Sequence, residues 1–534
     1  MKFNYRLIAY LGFSATLFLG CGSTGEILST PIENIDTSPL KVTALTDAEK
    51  KNWGHLDLVK DTIPGMSVDK AYAEIIKNKK GKKVIVAVID SGIDIDHEDL
   101  RNVLWTNEDE IPNNGKDDDN NGYIDDVHGW NFLGDAYDEQ LEYVRILASG
   151  DTSNPSYEAA KAKYEEDYQL WLGRKTQYDQ FAQAINGADE TLTKHLGKSD
   201  YTIDEINAIK TEDQALSQAI QIANQMNSNG LSLAEAKKEI NNGLESINER
   251  LNFNLNKNFS GRTTGDDIND FSEIGYGNGN VKPVKKSESH GTHVAGIIAA
   301  ERNNGKGANG VANNVEIMSL RAVPNGDEYD KDVALAIRYA VDNGAKVING
   351  SFGKSFSPHA DKVREAIKYA SDNDVIFVHA AGNSSENVDV APNFPDDNVD
   401  FVEISNTYIR VGSLTSKYGS KIVSGFSNYG KKNVDVFAPG SDIYSTTPEN
   451  EYEPNSGTSM ASPAVAGVAA LVRSYYPKLS AAQVKQVILE SGLPLTTKVV
   501  VGGDASNVKS FSDISKSGRI VNAYNALIMA SKLK

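Results

Sequence analysis

Residues 84–89 are unbroken apolar (VIVAVI) and stop on Asp90, with Gly92 just beyond. A run this short and without alternation suits a strand covered on both faces, the position of strands in a parallel sheet flanked by helices. Runs of the same kind recur downstream, separated by stretches of helical period. Strands are expected at 316–320, 346–348, 375–378, 408–414 and 434–437, and helices at 331–343, 360–371, 484–489 and 520–530. Such alternation dictates an α/β fold, a doubly wound and mostly parallel sheet. Binding sites of open sheets lie outside the carboxyl ends of the strands, which is where Asp90 stands.

Two further strings carry reactive groups. In HGTHVAGIIAA, the small residues Gly291, Ala295 and Gly296 let a helix begin close to the sheet, with His290 at its mouth. In GTSMASPAVAGVAALV, Gly457 gives a tight entry, Ser459 stands at a helix start, and Pro463 is expected within the first turn. Free N–H groups at that helix start favour a developing oxyanion. Singly, each has a plain structural reading: Asp90 a turn residue, Ser459 an N-cap, His290 a hydrogen-bonded loop residue.

Together, VAVIDSGID, SHGTHVAGI and NSGTSMASP follow one another in the order Asp, His, Ser. In this they resemble the subtilases, the subtilisin-like serine proteases. The resemblance covers residues 53–132 and 276 to the C-terminus. It implies a subtilisin-type sheet and peptide-bond hydrolysis through an acyl-enzyme, with catalytic Asp90, His290 and Ser459. In VIFVHAAGNSS it makes Asn383 the side-chain donor to the oxyanion. In VINGSFGKS it makes Ser351, Phe352 and Gly353 the strand that pairs with the substrate backbone. Opposite them, Asp327, Glu328, Asp330 and Asp332 form an acidic stretch. One reading is helix-start charge; the other is a rim preferring Lys or Arg upstream of the cut.

The 534 residues exceed one ordinary domain, and 40% hydrophobic with 24% charged content suits a globular protein. A formal charge of −19 argues against nucleic-acid binding. Protein or peptide substrates are the expected partners. At the N-terminus, Lys2 and Arg6 precede an apolar stretch, 7–20, of secretory-signal length. It ends at the single cysteine in LFLGCGS, which resembles a bacterial lipobox. That resemblance implies lipidation of Cys21, export, and anchoring to a bacterial membrane on its periplasmic or surface side. Residues 1–20 then form the signal peptide and 21–46 a tether. Few residues separate Cys21 from Val84, so folding is expected without release of a prodomain.

His290 follows Asp90 by two hundred residues, far more than a compact subtilase needs. Composition shifts between them toward Ala, Glu, Gln, Lys and Asn. A helical stripe runs through Tyr157, Ala160, Tyr164, Tyr168 and Trp171, with capping boxes at Thr202/Glu205 and Ser232/Glu235. The protease domain is therefore expected in two parts, 47–134 and 261–534, around a helical insertion at 135–260. The insertion is either passive decoration or a lid or docking arm. Just after the aspartate, NEDEIPNNGKDDDNNGYIDDVHGW places Asp117, Asp119, Asn121, the Tyr123 carbonyl and Asp125 at alternating positions around Gly122. This is the spacing of a Ca²⁺ loop, and carboxylates so close repel without a cation. Outside proteolysis, two rival readings stand: a surface lipoprotein that binds a partner with a dormant triad, and an esterase or transpeptidase using the same serine.

Overall fold

The computed structural model describes residues 41–400 and 402–533. Cys21, the signal segment and most of the tether lie outside them. The described chain divides into two compact units, residues 143–260 and the remainder.

In the larger unit a nine-stranded sheet runs in the order Leu493–Pro494, Arg519–Ile520, Val436–Pro439, Tyr408–Leu414, Ile376–Ala380, Val347–Gly350, Val84–Asp90, Val315–Arg321, Gly129–Asn131. Every pairing is parallel except the one between the Leu493–Pro494 and Arg519–Ile520 strands. The central strand explains the doubly wound form. Val84, Val86 and Val88 point into one core with the helices His290–Ala299 and Thr458–Tyr475. Ala87 and Ile89 point into a second core with the helices Asp330–Asp342 and Ala360–Asp372. A run apolar on both faces is thus spent on two cores. From Val84–Asp90 the chain winds outward to Val315–Arg321 on one side and returns to Val347–Gly350 on the other. This switch of winding direction leaves a crevice above the carboxyl end of the strand that carries Asp90.

The helical unit is built on the 40-residue helix Tyr157–Leu196, against which Gln214–Ser228 and Leu233–Glu249 pack. Tyr178, Ile185 and Leu192 meet Leu216, Met226, Ile240 and Ile247 in its own core. Both capping boxes form, Thr202 with Glu205 and Ser232 with Glu235. Elsewhere the expected elements shift by one to three residues at their ends. The segment from Val68 is α-helical only over Val68–Ala71 before a π turn, Tyr72–Ile76.

Candidate active site

Asp90 closes the central strand and is 1% exposed. Gly92, at φ 104°, turns the chain immediately after it, a conformation that favours glycine. His290 opens the helix His290–Ala299, whose first turn is drawn in by Gly291: a Cβ there would lie 2.3 Å from the Gly92 carbonyl. The two side chains join through His290 Nδ1, which donates to Asp90 Oδ1 at 2.7 Å. The same oxygen accepts the Ser91 N–H at 2.7 Å, so the carboxylate is aimed before the imidazole arrives. The imidazole remains half-exposed.

Ile89 pairs with Gly350 in the adjacent strand, which sets Asp90 level with Ser351. Neighbouring strands lie about 4.8 Å apart. Ser459 reaches this same edge: its hydroxyl donates to the Ser351 carbonyl at 3.1 Å. The Asp90–His290 pair and the Ser459 hydroxyl are therefore tied to the carboxyl ends of two adjoining strands. No hydrogen bond links Ser459 to His290 in this state. Such contacts commonly tighten only when substrate binds.

The helix carrying Ser459 is fixed by a buried chain of polar groups. The Ser462 hydroxyl donates to Asn349 Oδ1 (2.8 Å), Asn349 Nδ2 to Ser351 Oγ (2.9 Å), and Ser351 Oγ to the Ser459 carbonyl (3.0 Å). Pro463 explains the last link. It lies in the second helical turn, not the first as expected, and cannot supply the N–H that would normally bond the Ser459 carbonyl. The Ser351 hydroxyl takes its place.

Asn383 follows the Ile376–Ala380 strand on a turn knitted by Asn428. The Asn428 amide donates to the Ala381 carbonyl and accepts the N–H groups of Ser384 and Glu386. Asn383 Oδ1 accepts both the Thr458 N–H (2.8 Å) and the Thr458 hydroxyl (2.9 Å), which turns Nδ2 away from Thr458. A Cβ on Gly457 would sit 3.5 Å from Asn383 Nδ2 and 3.5 Å from the Ser459 nitrogen. The space in front of Gly457 is thus faced by two N–H donors, the arrangement a negatively charged oxygen needs.

On the substrate edge, Ser351 is buried, Phe352 half-buried and Gly353 exposed. The Phe352 carbonyl accepts His379 Nε2 at 2.8 Å, and His379 Nδ1 accepts the Tyr408 hydroxyl at 2.9 Å. Burial holds His379 neutral, its pKa lowered to about 3. Gly353 keeps both backbone groups outside the ladder of backbone hydrogen bonds, while Lys354 on its far side pairs with Phe394 in both directions. This leaves a short open edge for an extended chain.

The acidic rim is corrected. Glu328 is 2% exposed, Asp330 6% and Asp332 fully buried. Asp330 pairs with Lys354 at 2.8 Å and accepts the Ser357 hydroxyl and the His359 N–H. Asp332 accepts both terminal nitrogens of Arg262 at 2.9 Å and the Tyr276 hydroxyl at 2.7 Å. Asp327 accepts the Glu142 N–H. These carboxylates brace the loop instead of facing a substrate.

The acidic loop is held by its own hydrogen bonds. Asp117 accepts the N–H groups of Asn121 and Gly122, and Asp125 those of Asn114 and Gly115. Asn121 donates its amide to Asp119 and Asp126, and Tyr123 packs its ring among Trp130, Phe132 and Tyr339. The carboxylates brought together are instead Glu110, Asp119 and Asp126, with one oxygen from each within 4.8 Å of the others. Burial pushes the pKa of both Glu110 and Asp126 up. Glu110 Oε2 is buried with no hydrogen-bond partner. Three converging carboxylates with one orphaned oxygen fit a hard, oxygen-loving cation such as Ca²⁺.

One group that pattern-reading passed over is Arg321, fully buried at the end of the strand beside Asp90. Its signal was a lone cation closing an apolar run, which must have a partner.

Comparison with known proteins agrees with this construction. Over 240 residues the chain is 40% identical to the thermophilic serine proteinase of Bacillus sp. strain AK1, which covers 45% of this chain and 52% of that protein. It is 43% identical over 191 residues to thermitase of Thermoactinomyces vulgaris, covering 36% of this chain and 63% of that one. With subtilisin DY of Bacillus licheniformis the identity is 35% over 222 residues, 41% of this chain and 76% of the relative. The chain thus spans about half the length of the first of these relatives. The model of the subtilase family matches residues 81–508, well over half of the sequence and inclusive of every catalytic candidate, and the chain belongs to that family.

Proposed function

We propose that this protein is a serine endopeptidase working through Asp90, His290 and Ser459. The observation that carries the reading is the shared strand edge: the Asp90–His290 pair, bonded at 2.7 Å, stands level with Ser351, whose carbonyl holds the Ser459 hydroxyl. An extended peptide added along Ser351–Gly353 would offer its own N–H to the Ser351 carbonyl. The displaced hydroxyl then turns to His290, which takes its proton as Ser459 attacks the substrate carbonyl. Asp90, desolvated and accepting from Nδ1, favours the imidazolium that results. The new oxyanion is received in front of Gly457 by Asn383 Nδ2 and the Ser459 N–H. His290 returns the proton to the leaving amine, and water repeats the sequence to free the acyl group.

A Ca²⁺ ion at Glu110, Asp119 and Asp126 would neutralise like charges and hold the loop together, a structural role. The lipobox-like LFLGCGS supports anchoring to a bacterial membrane through Cys21. Among the described residues no helix is long and apolar enough to cross a membrane.

A fluorophosphonate probe tests the mechanism: it labels the wild type and leaves Ser459→Ala unlabelled. Casein digestion separates endopeptidase from esterase. Absence of labelling on the folded wild-type protein would favour the dormant binding scaffold instead.

A further inference from the structure

Arg321 is the Cα partner of Asp90 in the parallel ladder, and its guanidinium is fully buried. Its five N–H groups meet five acceptors. Nε donates to the Ser91 carbonyl (3.1 Å), Nη1 to Asn131 Oδ1 (3.2 Å) and the Gly134 carbonyl (3.0 Å), and Nη2 to the Ala136 carbonyl (2.8 Å) and Glu288 Oε1 (2.7 Å). Only Glu288 carries a compensating charge. Its other oxygen accepts the Val284 N–H at 2.6 Å, and its side chain is 3% exposed.

The positions of these acceptors matter more than their number. Ser91 directly follows Asp90, and Glu288 lies two residues before His290. The Ser91 hydroxyl accepts the Gly291 N–H at 3.2 Å, so the residue after His290 is tied to the same point. The carbonyl of Asp90 itself accepts the N–H groups of Ala322 and Val323, the residues after Arg321. One buried cation therefore brackets His290 from both sides and Asp90 from one, without touching either reacting side chain. A buried ion pair is weak evidence for net stability, since desolvation offsets most of the attraction. Five directed bonds converging between the acid and the base constrain geometry instead.

We propose that Arg321 and Glu288 form a positioning clamp that sets the separation and aim of the Asp90–His290 pair. The clamp rests on the serine-protease reading above. Neither residue contacts substrate, so ground-state binding is unaffected and the loss on breaking the clamp falls on the chemical step. A misplacement of about 1 Å at a catalytic group can cost about 10²-fold in rate.

The test measures kcat and KM on a peptide substrate, the rate constant of fluorophosphonate labelling at Ser459, and the thermal midpoint, for wild type, Glu288→Gln, Arg321→Lys and Arg321→Met. Glu288→Gln keeps shape and volume but turns an amide donor toward the Val284 N–H. Its expected result is a fall of about tenfold in kcat and in labelling rate per folded molecule, with KM unchanged, alongside a lowered thermal midpoint because the buried guanidinium loses its counter-charge. Lysine, with three donors in place of five, retains more kcat than methionine. The clamp is overturned if Glu288→Gln keeps wild-type kcat and labelling rate, or if its kcat falls only in step with its folded fraction. Failure of the wild type itself to label removes the protease reading and the clamp with it, an outcome distinct from either of those.

Discussion

Replacing Gly457 with alanine isolates the oxyanion pocket from the rest of the fold. At this glycine the backbone is extended, φ 166° and ψ 161°, a conformation any L-residue adopts. The nearest atoms to the added Cβ are Asn383 Nδ2 and the Ser459 nitrogen, both at 3.5 Å, and Ser459 Cβ at 3.7 Å. These are ordinary van der Waals distances, so nothing has to move. Folding loses nothing, and restricting the unfolded chain adds about 0.4–1 kcal/mol of stability. Catalysis fares differently. An oxyanion must come within about 2.7–3.1 Å of its donors, and the methyl group stands in the space that both of them face. Loss of one such donor, as measured in a subtilisin, costs about 10²–10³ in kcat, or about 2.7–4 kcal/mol. Blocking two donors at once should reduce kcat by about 10³-fold while the thermal midpoint holds or rises. Steady-state kinetics on a peptide p-nitroanilide and a thermal melt read the two quantities separately. Asn383→Ala should lose a comparable factor, and the double variant should fall little below Gly457→Ala, because both changes disable one pocket. A Gly457→Ala enzyme with wild-type kcat, or fully additive losses in the double variant, would refute the assignment of the pocket.

Three other outcomes follow from the same geometry. Chelator should lower the thermal midpoint of wild type and of Asp117→Asn, but not of Glu110→Gln, which lacks the orphaned oxygen; an unresponsive wild type would retire the cation. Burial pushes the Glu328 carboxyl from 4.5 up to about 8. An acid raised in the folded state contributes stability below its unfolded pKa and loses it as pH climbs through the folded one. Glu328→Gln, neutral throughout, should therefore gain thermal midpoint on wild type progressively from about pH 5 to about pH 9, and a constant difference would contradict this. Met460 is buried beside Ser459 in the helix, so oxidation to the sulfoxide forces polar bulk into packed space. Peroxide should inactivate wild type and spare Met460→Leu; equal sensitivity of the two would place the damage elsewhere.

How much of this was legible in the sequence depends on how far apart the partners lie along the chain. The two-core sheet was readable because residues 84–89 declare their burial locally, and the strands downstream repeat the signal. Asp90, His290, Ser459 and Asn383 stand out as candidates because each sits inside a contiguous string whose small residues serve the same turn. The cation loop is legible only in part from its spacing. Alternating acids around a glycine suit a loop in which every second side chain turns inward, and here the N–H groups of Asn114, Gly115, Asn121 and Gly122 also bond Asp125 and Asp117. Glu110, outside the repeat, and Asp126, one step past it, converge with Asp119 instead.

The substrate-rim reading of the acidic stretch 327–332 failed for the complementary reason, while Asp330 and Asp332 do lie in the first turn of a helix. Asp332 is neutralised by Arg262, 70 residues away, and Asp330 by Lys354 across the substrate strand. No local pattern separates a carboxylate awaiting a basic substrate from one already paired inside the fold. The cations are the better signal. A lysine or arginine closing an apolar strand cannot be left without a counter-charge, since a buried, unpaired guanidinium would cost far more than any helix-start preference returns. Arg321 closes such a strand level with Asp90, and its obligatory carboxylate turns out to be Glu288, two residues before His290. A buried cation at the end of a catalytic strand therefore points toward the segment that carries the acid's partner, information that the acidic residues, numerous and mostly solvated, do not contain.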